Sequence, residues 1–254
     1  MNEGDRHQDN RLIAAMPAGV RAQFGSHLEI VPLTPRTVLA EAGSSLRYAY
    51  FPHVGVICLM AALSKGAVET ATVGPEGFVG FEVLLGSTTA SQKGLVQVAG
   101  VASRVPIEVL AELARDSAPL RDLLRGYVRY FMIQVLQSVA CNGLHSVRQR
   151  CARWLLMAHD RAGADGFHLT QEFLGELLGI QRPSVTIVAH ATDSRVDPLQ
   201  PRSDYDHRSS RPRRSCVRVL RHGPRGIELL EGLLIDIAPH RPEIGQPQFG
   251  VDDL

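Results

Sequence analysis

LTQEFLGELLGIQRPSVTIVA, residues 169–189, holds two short helical patterns on either side of a glycine. With Gln171 as position one, position five is Gly175 and position nine is Gly179. A small residue at five lets a second helix cross closely, and glycine at nine can take the left-handed backbone conformation of a tight turn. Positions four, eight, ten, fifteen and eighteen must be apolar to bury the interface between the helices. They are Leu174, Leu178, Ile180, Val185 and Val188. Every constrained position of a helix-turn-helix is met, and Thr170 can cap its first helix.

The second helix presents Gln181, Arg182, Pro183, Ser184 and Thr186 at its exposed N-terminal end. Proline is tolerated there because a first-turn amide has no intrahelical partner. In a DNA-binding helix-turn-helix this end enters the major groove. The Arg182 fork matches the N7 and O6 acceptors of guanine, Gln181 suits adenine, and Ser184 and Thr186 suit bases or phosphates. The alternative for Arg182 is a phosphate contact, which positions the helix without reading sequence. Thr170 and Gln171 fall where the first helix would cross the backbone. Double-stranded DNA is the partner this stretch implies.

Working back from the motif, residues 146–162 have helical spacing, with Val147, Cys151, Trp154, Leu155 and Ala158 inward and Arg148, Arg150, Arg153 and Arg161 outward. GADG at 163–166 stops that helix. A longer helix opens at Ser117, a candidate N-cap, and carries Leu120, Leu123, Leu124, Tyr127, Phe131, Val135 and Val139 as one apolar stripe. Arg121, Arg125 and Arg129 lie opposite. The stripe packs either within the chain or against a second copy. One long helix beside a β-domain has little left to pack against, so Leu120, Leu124, Tyr127, Phe131 and Val135 are assigned to a homodimer seam like a short coiled coil. The first hundred residues alternate short apolar stretches (27–33, 37–41, 48–51, 55–62, 67–73, 94–99 and 101–106) with Gly, Pro and Ser punctuation. That rhythm predicts a closed or double-sheet β-architecture after a short helical prelude at 11–24.

The β-rich half, the long helix, SVRQRCARWLL (146–156) and the helix-turn-helix together resemble the Crp/Fnr transcription regulators. YAYFPHVGVICL (48–59), VGPEGFVGFEVLLG (73–86) and VQVAGVASRVP (96–106) extend the resemblance, which spans about residues 12–189. It implies an α+β fold in four parts. A jelly-roll-like β-roll related to cyclic-nucleotide-binding domains would occupy 1–115 and a dimerisation helix 116–142. A helix-turn-helix would occupy 143–192, and an atypical tail at 193–254 stands where a wing belongs. The role implied is a homodimeric, DNA-binding regulator responding to an unassigned signal, with RNA polymerase a further candidate partner. A second reading is a sensor or dimerisation module without specific DNA binding.

Departures from the family pattern bear on the ligand. Members that bind cyclic nucleotides carry a glycine–glutamate segment, then an arginine followed by serine or threonine. Here Gly80-Phe81-Glu82 is a degraded version, GSTTASQKG (86–94) holds no arginine, and Lys93 lacks the bidentate fork. Cyclic AMP is therefore not an expected ligand. No cysteine precedes Cys58, so an iron–sulfur cluster is not expected either. His27, His53 or a cysteine would be the available haem ligands. Cys141, His145 and Cys151 lie close in sequence but offer no fourth metal ligand, and no cofactor is assigned. GxxxxGK(S/T), HExxH, GxSxG and CxxC are all missing, and Gly74, Gly77 and Gly80 lack dinucleotide spacing, so no enzyme is expected.

Composition agrees with a globular chain: 44% hydrophobic and 21% charged residues, with a net charge of +1 that gives no whole-chain field toward nucleic acid. Of 27 basic residues all but Lys65 and Lys93 are arginine, a bias expected of GC-rich coding DNA. The polar start and four scattered cysteines (58, 141, 151 and 216) predict a cytoplasmic protein with no membrane association.

After His190 the pattern fails. Residues 195–225 contain nine arginines and four prolines, with no helical or strand period before Cys216. One reading is a basic arm that binds DNA. The other is a change of reading frame. Back-translated with permitted codons and read one base later, residues 202–221 are compatible with GRITITDRPALEEAACECYG, and residues 190–201 with TQRTPGLIRYSR. Those strings supply the end of a recognition helix and the alternating strands of a wing.

Overall fold

The computed structural model describes residues 6–63, 66–162, 168–179 and 216–218. The longest apolar run, 54–63, lies in β3 (Tyr48–Leu63), and its side chains alternate between two cores. Ile57 and Leu59 face an inner core, while Val56, Cys58 and Met60 face an outer one. A strand buried on both faces reads as unbroken hydrophobicity, which is why no alternation marks it in the sequence.

Around β3 run β1 (Glu29–Leu33), β2 (Val38–Ala40), β4 (Gly66–Val73) and β5 (Lys93–Pro106). The order is β1-β5-β3-β4, with β2 also on β5, and every pairing is antiparallel. The expected strands 48–51 and 55–62 are one strand here, as are 94–99 and 101–106. Register slips between Pro52 and Ile57 absorb what the sequence shows as turns. Gly100 passes so close to the Val54 carbonyl that a Cβ would overlap it.

The expected prelude is two helices, α1 (Arg11–Ala15) and α2 (Ala18–Gly25), because Met16 and Pro17 are extended. Asn10 fastens α1 to the sheet. Its Oδ1 accepts from the Leu12 and Ile13 amides, and its Nδ2 donates to the Pro52 and Gly77 carbonyls at 2.8 and 2.9 Å.

From Pro106 the chain becomes helical: α3 (Ile107–Asp116), then α4 (Ala118–Leu144), whose first turn Ser117 caps by accepting from the Leu120 amide. The apolar stripe of α4 requires a correction. Leu120, Leu124, Tyr127 and Phe131 are buried in the inner core of their own chain, with Val135 packed at its edge. The roll supplies the partner that the sequence did not reveal. Phe51 stacks on Phe78 at 5.0 Å, Phe78 meets Tyr127 at 5.3 Å, and Phe81 meets Phe131 at 4.8 Å. The opposite face of α4 carries Arg125 and Arg129 early. Later it carries Met132, Ile133, Leu136, Val139 and Leu144, each 51–84% exposed. Val139 thus belongs to this second stripe rather than the first.

Beyond α4 come α5 (Val147–Ala162), β6 (His168–Thr170), α6 (Gln171–Leu178) and β7 (Cys216–Arg218). The last pairs with β6, Thr170 opposite Cys216 and His168 opposite Arg218, so three residues of the tail form a strand beside the motif. No helix among the described residues is long and apolar enough to cross a membrane.

Candidate nucleic-acid interface and its seat on the sheet

Ser146 opens α5 with a reciprocal cap. Its amide and hydroxyl donate to Gln149 Oε1 at 3.0 Å, and its Oγ accepts from the Gln149 amide. Cys151, Trp154, Leu155 and Ala158 then point inward as their spacing requires, and all four are buried. They cover Val56, Cys58, Met60, Leu95 and Val98 on the outer face of the roll. Burial pushes the Cys151 thiol up to about 12 and raises that of Cys58 well above its ordinary value, so both are inert apolar side chains.

In α6, Leu174 and Gly175 are buried, and the helix ends at Gly179 with φ 64°, in the left-handed region. Gly179 lies against Val68 of β4. Leu177, at a position the motif leaves unconstrained, is 2% exposed and packs on the same sheet face. Thr170 ends β6 and Gln171 begins α6. Ile180, Gln181, Arg182, Pro183, Ser184, Val185, Thr186 and Val188 lie outside the described residues, as does most of the tail.

Two polar junctions hold this unit, and the sequence disclosed neither. In the first, Arg161 Nη2 pairs with Glu76 at 2.6 Å, and its Nη1 donates to Thr72 at 2.6 Å. The same guanidinium reaches Gln134 of α4 at 3.1 Å, and Gln134 Nε2 donates to the Thr72 carbonyl. One arginine thereby joins α5, α4 and the roll; expected on the solvent face, Arg161 is 8% exposed. In the second, the Trp154 indole donates to both oxygens of Glu69 at 3.0 and 3.1 Å, and Gln97 Nε2 donates to Glu69 at 2.6 Å. Burial pushes the Glu69 carboxyl up to about 7, against the smaller lowering by its neutral donors and by Arg161 and Arg153. A glutamate among the apolar residues of AVETATV (67–73) was the available signal.

The sheet's other polar centre is His7–Ser103–His53, each histidine 2.6 Å from the Ser103 hydroxyl. Burial lowers His53 to about 4. Both candidate haem histidines are thereby placed: His53 is engaged with Ser103, and His27 is exposed on the turn after α2.

The segment where a cyclic nucleotide would sit does not fit one. Gly80 leads into a 3-10 turn, Phe81–Leu85, and Glu82 Oε1 accepts from the Ser91 amide and hydroxyl at 3.0 and 2.7 Å. The carboxylate that would take a ribose hydroxyl thus serves its own loop. Lys93, the remaining cation there, pairs with Glu41 at 3.1 Å.

No protein-family model matches the sequence, and no curated protein matches it. Solved structures do share the fold. A protein from Eubacterium rectale assigned to the crp/fnr family of transcriptional regulators superposes with TM-score 0.61 at 14% identity, covering 89% of this chain and 98% of its own. FixK2 of Bradyrhizobium japonicum gives 0.59 at 16% identity, covering 81% and 96%. CLP, a c-di-GMP-responsive global regulator of Xanthomonas campestris, gives 0.56 at 17%, covering 70% and 92%. The β-roll and its long helix therefore have the fold of Crp/Fnr regulators.

Proposed function

We propose that a chain with the fold of the Crp/Fnr regulators is itself a homodimeric, DNA-binding transcription regulator, not an enzyme, whose β-roll answers to a signal other than a cyclic nucleotide. The observation that carries the reading is the end of α6. Leu174 and Gly175 are buried and Gly179 takes φ 64°, the turn geometry that a following recognition helix needs. Gln181, Arg182, Ser184 and Thr186 would then reach the major groove, Pro183 would open that helix, and Thr170 and Gln171 would meet the backbone. Dimerisation falls to the second face of α4, through Met132, Ile133, Leu136, Val139 and Leu144, and RNA polymerase is the further partner that the role implies. The signal would act by shifting the population of dimer arrangements that set two recognition helices about one DNA turn apart.

The test is binding of the purified chain to genomic fragments at two salt concentrations. Retention of a palindromic site at the higher salt is expected, with Arg182→Ala costing about 1–3 kcal/mol and relaxing specificity at one base pair. Equal, salt-erased binding to all fragments would instead favour the second reading, a sensor and dimerisation module without specific DNA binding. What favours that reading is the run of arginines and prolines after His190 where a wing belongs.

A further inference from the structure

The α5–α6 unit is seated on the roll by an apolar face and two polar junctions of different chemistry. At one, Arg161 and Glu76 form an ion pair at 2.6 Å, charge meeting charge. At the other, the Glu69 carboxylate receives neutral donors only, the Trp154 indole and the Gln97 amide. A carboxylate so placed loses its water when α5 covers it, while Arg153 and Arg161 of that helix act on it without forming an ion pair, so loss of water outweighs them and the covered state favours its neutral form. Uncovered, the same group returns to water. His145 and Ser146 alone separate α4 from α5, a short link about which the unit can turn.

We propose that Glu69 and Trp154 form a protonation-sensitive latch, closed when Glu69 holds a proton, by which the β-roll retains or releases the α5–α6 unit. The inference deepens the function proposed above and rests on it for what the released unit does. The direction follows from linkage. Glu69 titrates at about 7 when covered and near its ordinary 4.5 in water, so the covered state binds the proton more tightly. Between those values docking gains up to tenfold per unit fall in pH, and as pH rises through about 7 that gain is gone.

The groups facing the carboxylate are set by each element packed on β4. Cys58 comes from β3; Gln97 and the more distant Lys93 come from β5. Cys141 comes from α4, and Arg150, Arg153 and Arg161 come from α5. On α6, Glu176 is exposed. None of these is a histidine, the class of side chain that changes charge around neutral pH. His159 of α5 is one, and it pairs with Asp160 at 3.7 Å, so the experiment must separate it from Glu69.

The chain supplies its own reporter, because Trp154 is its single tryptophan and is 7% exposed. Fluorescence of the full chain, followed from pH 5.5 to 8.5, is expected to titrate with a midpoint near 7 and move to the red as pH rises. Glu69→Gln, which keeps an acceptor for the indole and cannot ionise, is expected to stay blue-shifted throughout. A flat wild-type profile overturns the latch, and so does a titration that survives in E69Q, which would belong to His159. Hydrogen exchange covers the case in which E69Q does not fold. Trp154→Phe keeps the apolar contact and removes the indole N–H, so the amides of α5 and α6 should exchange several-fold faster than wild type at pH 5.5. Unchanged exchange overturns the proposal. None of these readouts contains DNA, so a chain that titrates as stated but binds no operator would lose the DNA-binding reading and keep the latch.

Discussion

Two titratable residues, His53 buried in the roll and Glu69 half-buried beneath α5, pull stability in opposite senses as pH falls. His53 is held near 4 by burial, against 6.5 in the unfolded chain, so unfolding takes up a proton between those values. Its contribution to stability is present above 6.5 and is lost as pH falls toward 4. Glu69 has the reverse sign. Its folded value of about 7 lies above 4.5, so its contribution is present at low pH and lost as pH rises through 7. Between pH 4.5 and 6.5 each alone would tilt stability by up to about 1.4 kcal/mol per pH unit, in opposite senses. For these two groups the wild-type Tm should therefore be nearly flat across that range. Relative to it, His53→Gln should lose stability as pH rises and Glu69→Gln should gain it, by about 2–4 °C for each kcal/mol. Thermal melts of the three chains at pH 5.0, 5.75 and 6.5 check this. Parallel pH profiles would mean that neither group is buried in its stated protonation state.

The secondary-structure elements themselves were legible wherever one face alone is buried or a cap marks an end. Ser117 announces α4, and the spacing of Cys151, Trp154, Leu155 and Ala158 gives the buried face of α5. What was not legible is which partner covers a given face. The stripe from Leu120 to Phe131 has the period of a helix seam, and period cannot distinguish a neighbouring roll from a second chain. The contacts of Glu69, Trp154, Glu76 and Arg161 span about 85 residues of sequence, beyond any local pattern. For α4 the correction moves the prediction to the opposite face. Met132, Ile133, Leu136 and Val139 recur at spacings of one, three and three and are exposed, whereas Leu124 and Phe131 are buried within the chain. Ile133→Asp with Leu136→Asp places two charges in an apolar seam and should leave a folded monomer with unchanged helical content. Leu124→Asp should unfold the chain, since it leaves a charge in the inner core. Sedimentation and circular dichroism separate the two outcomes. A dimer surviving the double substitution would remove this face as the seam.

At the scale of the whole molecule, Arg161 ties the roll, the long helix and the α5–α6 unit at one point, so movement of any of the three is felt by the others. Under the proposed function, such coupling reaches DNA only if the expected second helix of the motif is supported at its far end, and there the tail decides. In the present frame, nine arginines follow between 195 and 225, a charge pattern that attracts any phosphate backbone and reads none. In the frame one base later, the same stretch is compatible with GLIRYSRGRITI, two alternating strands joined by a turn, which would brace the recognition helix and add fixed phosphate contacts. Two proteins test the difference: the chain as it stands, and one whose coding sequence is moved by one base after Ala189. The shifted chain is expected to select a palindromic site over random DNA by about a thousandfold or more. It should hold that preference at roughly 200 mM salt. The present chain is expected to prefer the same site by a smaller margin, and to lose more of its affinity than the shifted chain between roughly 50 and 200 mM salt. Equal selectivity of the two proteins at the higher salt would establish the arginine-rich arm as a working substitute for the wing.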